Sequence, residues 1–91
     1  MEQRKVHSSN RFDRDVSLAI RRGKNTEKLK AVMELLANQQ SLPVLLKDQP
    51  LRGNWSGCRD LHIEPDWLLI YKCDEENVWL VRTGTHADLF R

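Results

Sequence analysis

The chain has 91 residues, a formal net charge of +2 and 40% hydrophobic residues, which is typical of one small globular domain spanning residues 1–91. No apolar run approaches the roughly 20 residues of a membrane-spanning helix, and we see no secretory leader. We therefore expect a cytoplasmic location, no membrane partner and reduced cysteines at Cys58 and Cys73. Because no cysteine or histidine pair has metal-ligand spacing, we expect no metal and no cofactor.

The first half of the chain predicts a short strand and two helices. Residues 5–8 read as the strand, and residues 8–10 then offer N-cap oxygens for a helix that ends at Gly23. Asn25 or Thr26 begins a second helix. Each helix carries an apolar stripe at helical spacing. The stripes are Phe12, Val16, Ala19 and Ile20 in the first helix and Leu29, Val32, Met33 and Leu36 in the second.

The second half predicts a sheet. Pro43 prevents the second helix from continuing, and three strands follow at about 58–63, 67–73 and 78–83. The links between them are short, which favours an antiparallel meander. Thr85 and Asp88 form a capping-box pattern that predicts a closing helical turn. The fold class is therefore α+β, with two N-terminal helices packed on a twisted antiparallel sheet.

Strand alternation sorts the side chains of the first meander strand. Leu61 and Ile63 face the core, which turns Asp60 and His62 outward, and Arg82 shares a face with Val78 and Leu80 on the last strand. We expect the polar and aromatic residues of this region to converge near the start of the middle strand. They are Asp60, His62, Asp66, Trp67, Arg82, His86 and Phe90.

Such a set fits the cleavage of an RNA backbone, which needs proton donors and acceptors, a fixed cation and aromatic faces for bases. Each member also has an ordinary structural explanation. Trp67 alone is more often a core residue, and Arg82 can bridge to an acid such as Asp60. The functional interpretation therefore depends on the set as a whole.

Several motifs resemble a known family. The runs KDQPLRG, RDLH, EPDWLLIY and RTGTHADLF, with Trp55 and Gly57 between them, are similar to YafQ-type toxins of the RelE/ParE superfamily. The resemblance implies a microbial-ribonuclease-like fold and a ribosome-dependent endoribonuclease that cleaves mRNA. It also implies a DinJ-like antitoxin as partner in a toxin–antitoxin hetero-oligomer.

The resemblance also implies which residues act. By position, the active-site residues of the family fall on His62, Asp66, Arg82, His86 and Phe90, with supporting roles for Asp60 and Trp67. One departure concerns Gln49, because the family has a catalytic histidine there. Glutamine can still bind substrate through hydrogen bonds but cannot shuttle a proton near neutral pH. Gln49 is either natural variation or an engineered change.

The implied mechanism is metal-independent attack of the 2′-hydroxyl on the adjacent phosphate. His62 is the expected base or the residue that orients the base, assisted by Asp66, and His86 is the expected acid, although these roles can be exchanged. Arg82 would hold the phosphate, and Phe90 with Trp67 would stack on a base. Residues 1–30 carry nine basic and four acidic side chains, a surface suited to ribosomal RNA. The candidate residues there are Arg14, Arg21, Arg22, Lys24, Lys28 and Lys30.

Two other functions remain open at this stage. One is a ParE-like inhibitor of DNA gyrase on the same fold, against which the cluster of histidines and carboxylates counts. The other is a catalytically inactive module that binds the ribosome, RNA or the antitoxin, an alternative that Gln49 keeps open. The charged helices also have an ordinary explanation as solvated surface.

Overall fold

Five strands form one sheet in the computed structural model, which describes residues 3–90. The spatial order is β1-β5-β4-β3-β2. The strands are β1 Lys5–Ser8, β2 Gln49–Pro50, β3 Arg59–Glu64, β4 Trp67–Cys73 and β5 Asn77–Gly84. The predicted meander of β3, β4 and β5 is antiparallel, as is β2 with β3. Strand β1, whose pairing the sequence did not predict, lies parallel to β5, and the connection between them runs through both helices and the other three strands.

The helices begin where the local signals predict, and the first ends just before Gly23 as expected. Helix α1 spans Asn10–Arg21, and the Ser9 hydroxyl accepts a hydrogen bond from the Phe12 amide at 2.9 Å. Helix α2 spans Thr26–Ala37 and is capped by Asn25. Helix α3 spans His86–Leu89 and has the predicted capping box, with reciprocal bonds between Thr85 and Asp88. None of the helices described in residues 3–90 is long and apolar enough to cross a membrane.

The main core lies between the helices and one face of the sheet. The predicted stripes of both helices supply it, except that Ile20 is exposed. Leu61 lies on this face and is fully buried, and Ile63 packs against the same cluster, as the alternation predicts. The buried members from the sheet are Leu61, Trp67, Leu69, Tyr71, Val78 and Leu80.

A second, smaller cluster covers the opposite face of the sheet. Leu68, Ile70 and Leu89 are buried there, and Trp55 and Cys58 pack against them. Asp60 lies on the predicted face, but the expectation that it points outward is wrong, because this second layer leaves it only 3% exposed. Cys73 packs against the helix-side core instead, and both cysteines are free.

A β-bulge in β5 changes the orientation of its end. Leu80 lies opposite Tyr71, whereas Arg82 lies opposite Ile70, so Val81 is the extra residue. Because paired residues share a face, Arg82 lies on the face of the second cluster. The prediction that it shares a face with Leu80 is therefore wrong, and the inserted residue is the reason.

Candidate active site

Two histidines from distant elements meet on the smaller-cluster side of the sheet. His62 comes from β3 and His86 begins α3, and their ring centroids are 5.6 Å apart. The ring of Phe90 lies 6.4 Å from that of His86, and Trp55 meets Phe90 edge-on at 6.4 Å. The structure thus brings together four of the residues selected from the sequence, since Asp66 also contacts His86, and it adds Trp55. Trp55 entered the sequence analysis only among the residues of the family resemblance, and nothing in its local sequence indicates that its ring faces the site.

Asp66 fixes the orientation of His86. Its Oδ1 accepts the His86 backbone N–H at 2.9 Å and lies 2.6 Å from the Nδ1 of the ring. The hydrogen bond from the His86 backbone, followed by the contact with its ring, lowers the pKa of Asp66. In this structure Asp66 therefore contacts His86 rather than His62, the residue that it was predicted to assist. The reason is the register, because Leu68 at the start of β4 pairs with Gly84 at the end of β5, which brings the turn before β4 against α3.

The bond to Asp66 leaves one nitrogen of His86 available. With Nδ1 engaged, Nε2 is the atom that can exchange a proton with a substrate. Both side chains are more than half exposed, so a substrate can reach them. Within residues 3–90, the Nδ1 of His62 is buried and has no hydrogen-bond partner, so no carboxylate orients this second ring.

Arg82 is already bound to a carboxylate. Its Nε donates to Asp15 Oδ2 at 2.7 Å and its Nη2 to Asp15 Oδ1 at 3.2 Å, while the Thr83 amide donates to the same carboxylate at 3.1 Å. The side chains of Arg82 and Asp15 are only 15% and 10% exposed. The alternative that Arg82 bridges to an acid is therefore correct, with Asp15 rather than Asp60 as the partner. This arginine does not present a free fork to a phosphate.

Two of the expected substrate contacts are buried. Trp67 is 1% exposed in the helix-side core, and its Nε1–H donates to the Thr83 hydroxyl at 2.9 Å, so its predicted role as a stacking face is wrong. Asp60 is equally inaccessible for direct contact with a substrate. Its Oδ1 has no partner among the described residues. Trp55 takes the place of Trp67 as the second aromatic ring of the site.

Gln49 lies beside the site on an anchored segment. It is exposed on β2 and pairs with Asp60 of β3. Asp60 in turn pairs with Ile70 of β4, which pairs with Arg82 of β5. The preceding residue, Asp48, accepts one hydrogen bond from the Tyr71 hydroxyl through Oδ1. Its Oδ2 accepts two from the Arg59 guanidinium, from Nη2 at 2.7 Å and from Nε at 3.0 Å. Burial of the Tyr71 hydroxyl, followed by its hydrogen bond to Asp48, raises the pKa of Tyr71. This clamp fixes the position of Gln49 relative to the sheet.

Removing the hydroxyl from this clamp is expected to destabilise the fold. Tyr71→Phe leaves the ring in the core but deprives Asp48 of one donor, so the free energy of unfolding should fall by ~1–2 kcal/mol. Urea titration followed by fluorescence measures the change. An unchanged midpoint would contradict an anchoring role for the Tyr71–Asp48 bond.

Half of the predicted ribosome-binding residues are engaged within the chain. Arg22 pairs with Asp88 at 2.7 Å, and Lys24 and Lys28 pair with Glu64 at 3.1 and 2.8 Å. The remaining three are exposed and have no carboxylate partner within the described part of the chain. They are Arg14, Arg21 and Lys30. Residues 3–90 contain no group of three His, Cys, Asp or Glu side chains placed to hold a metal ion.

Comparison with known proteins decides the family. The profile described as "Bacterial toxin of type II toxin-antitoxin system, YafQ" matches residues 4–91. The chain belongs to the YafQ family of toxins. It is 50% identical to the mRNA interferase toxin YafQ of Escherichia coli strain K12, over 99% of both chains.

Solved YafQ structures agree with this assignment and with the predicted fold. A crystal structure of YafQ from E. coli strain BL21(DE3) matches with a TM-score of 0.93 and 48% identity over 98% of this chain and 100% of that one. A chain of the E. coli DinJ–YafQ toxin–antitoxin complex matches with a TM-score of 0.90 and 49% identity, covering 98% and 99%. The predicted YafQ resemblance and α+β architecture are confirmed.

Proposed function

We propose that this YafQ-family toxin is a ribosome-dependent endoribonuclease that cleaves mRNA by attack of the 2′-hydroxyl on the adjacent phosphate. The observation that carries the proposal is the accessible histidine pair, in which Asp66 holds His86 5.6 Å from His62. An in-line displacement at phosphorus needs one group to remove a proton and another to supply one. The E. coli relatives bear the name mRNA interferase toxin, which favours RNA as the substrate.

The geometry suggests how the roles divide. The Nδ1 of His86 is bound to the Asp66 carboxylate, so we assign His86 as the acid, which would protonate the departing 5′-oxygen through Nε2. His62 would then take the proton of the 2′-hydroxyl. The same pair would also serve with the acid and base roles exchanged. Phe90 and Trp55 form an aromatic corner against which a base can stack.

We assign Arg82 a positioning role rather than direct contact with the phosphate. Its guanidinium is committed to Asp15, and this pair ties α1 to the end of β5, immediately before α3. The negative charge that develops on the phosphate would then be met mainly by protonated His86. The double substitution described in the Discussion separates this role from that of a phosphate clamp.

The proposed partners are the ribosome, its mRNA and a DinJ-like antitoxin, all in the cytoplasm. Arg14 and Arg21 line an open cavity with Arg11 beside α1, and these free cations fit 16S rRNA phosphates, so binding should weaken as salt rises. An antitoxin partner is proposed because E. coli YafQ crystallises in complex with DinJ.

Gln49→His is expected to raise mRNA cleavage on programmed bacterial ribosomes by about 10- to 100-fold. A histidine on β2 adds a proton-transfer group beside the pair, and one such group is typically worth about 10²–10⁴-fold. The single-turnover cleavage rate measures the change, and Gln40→His, at an exposed position outside the site, is the matched control.

The result also decides between the proposed enzyme and an inactive module. The gain should be confined to Gln49→His. Ribosome binding without cleavage, by both the native chain and Gln49→His, would contradict the proposed nuclease and support the non-catalytic binding module that Gln49 keeps open.

A further inference from the structure

A groove opens beside β3, outside the histidine pair but sharing one wall with it. Strand β2 pairs with Asp60 and Arg59 of β3, and within residues 3–90 the outer edge of β3 has no strand neighbour beyond them. The 3₁₀ helix Val44–Leu46 passes this edge instead. Between them lies a cavity of about 380 Å³, within the roughly 300–1,000 Å³ range of small-molecule sites.

The groove has apolar walls and ends at the catalytic ring. Leu45, Ile63 and Pro65 supply aliphatic surface, and His62 closes the end nearest His86. Leu45 is 84% exposed, so its side chain stands in water and would gain from contact with an apolar planar group. A base attached to a nucleotide at the His62–His86 pair could reach the groove around the free edge of β3, because His62 and Ile63 both line it.

The charges around the groove favour a polyanion. Lys47 and Glu64 line it, and the carboxylate of Glu64 is neutralised by Lys24 and Lys28 at 3.1 and 2.8 Å. Three cations therefore stand against one anion. Apolar walls with a cationic rim suit a nucleotide, in which the base is flat and apolar on its faces and the phosphates are charged.

We propose that this groove binds the base of an mRNA nucleotide adjacent to the cleaved phosphate. The inference rests on the proposed function, since it uses the same histidine pair. It adds Leu45 and Ile63 as substrate-binding residues that lie outside the motifs at the pair itself. The corner formed by Phe90 and Trp55 would hold the base on the other side of the cut.

The neighbouring residues of the 3₁₀ helix provide a matched test. Val44 is 93% exposed and Leu45 84%, yet only Leu45 lines the groove. Leu45→Ser is expected to lower kcat/KM for mRNA cleavage by about tenfold, the loss of one apolar contact, and Val44→Ser by less than about twofold. The kcat/KM of both variants is measured in the native background and in the Gln49→His background. The mRNA substrates differ in the base on either side of the cleaved phosphate.

A second measurement does not require cleavage. A 2′-O-methyl trinucleotide lacks the attacking hydroxyl, so its binding can be followed by methyl NMR. The signals of Leu45 and Ile63 should shift on titration while those of Val44 do not. If these signals shift in a chain that does not cleave mRNA, the groove is supported as an RNA-binding site and the proposed nuclease activity is contradicted.

Three results would overturn the inference. One is that Leu45→Ser and Val44→Ser lower kcat/KM equally relative to the native chain, or that neither lowers it. Another is the absence of shifts at Leu45 and Ile63 with the trinucleotide. The third is a Leu45→Ser chain that cleaves normally but binds a DinJ-like antitoxin more weakly, which would make the groove a protein-docking site.

Discussion

His86→Ala is expected to lower the rate of mRNA cleavage on programmed ribosomes by about 10²–10⁴-fold. The substitution removes the ring that Asp66 holds through Nδ1 and that is more than half exposed. Asp66→Asn should have a smaller effect of about tenfold. An amide carries no charge to strengthen the contact with the Nδ1 of the ring, although its oxygen can still accept the backbone N–H of His86.

The third histidine of the chain is the control. His7 is exposed on β1, where it stacks on Trp79 with ring centroids 5.5 Å apart and lies 2.8 Å from the Asn77 side chain. His7→Ala should therefore cleave mRNA at the native rate. Equal losses in His7→Ala and His86→Ala, or none in either, would contradict an acid–base role for His86.

The elements that local chemistry determines were predictable from the sequence. The Ser9 and Asn25 caps, the Thr85–Asp88 capping box and the alternation of Leu61 with His62 all depend on residues close in the chain. Their side chains bond or pack within a few positions, so spacing alone carries the information. The spatial approach of the two histidines was likewise expected, because short turns constrain which strand ends are adjacent.

The features that depend on distant residues were not predictable. The bulge at Val81 has no sequence signal here, yet it moves Arg82 to the other face of the sheet. The partner of Arg82 lies 67 positions away on α1. The burial of Asp60 results from a second layer built by α3 and the loop around Trp55. Each of these is a consequence of tertiary packing, which overrides the two-residue period of a strand.

The buried pair of Asp15 and Arg82 yields the largest expected effect on stability. Asp15→Ala removes the acceptor of two guanidinium bonds and of the Thr83 amide. It leaves a charged side chain that is only 15% exposed without its partner. Breaking a buried pair in this way typically costs ~3–5 kcal/mol. Urea titration measures the loss, and Asp13→Ala, exposed on the same helix, should change the free energy of unfolding by less than ~1 kcal/mol.

Replacing both partners separates a positioning role from a catalytic one. Asp15→Leu with Arg82→Met substitutes apolar side chains for the ion pair, and such replacements often recover stability. If Arg82 acts by tying α1 to β5, the refolded double variant should retain most of the kcat of mRNA cleavage. A stable double variant whose kcat falls 10²-fold or more would instead show that Arg82 leaves Asp15 to hold the phosphate, and the assignment of Arg82 as a positioning residue would be wrong.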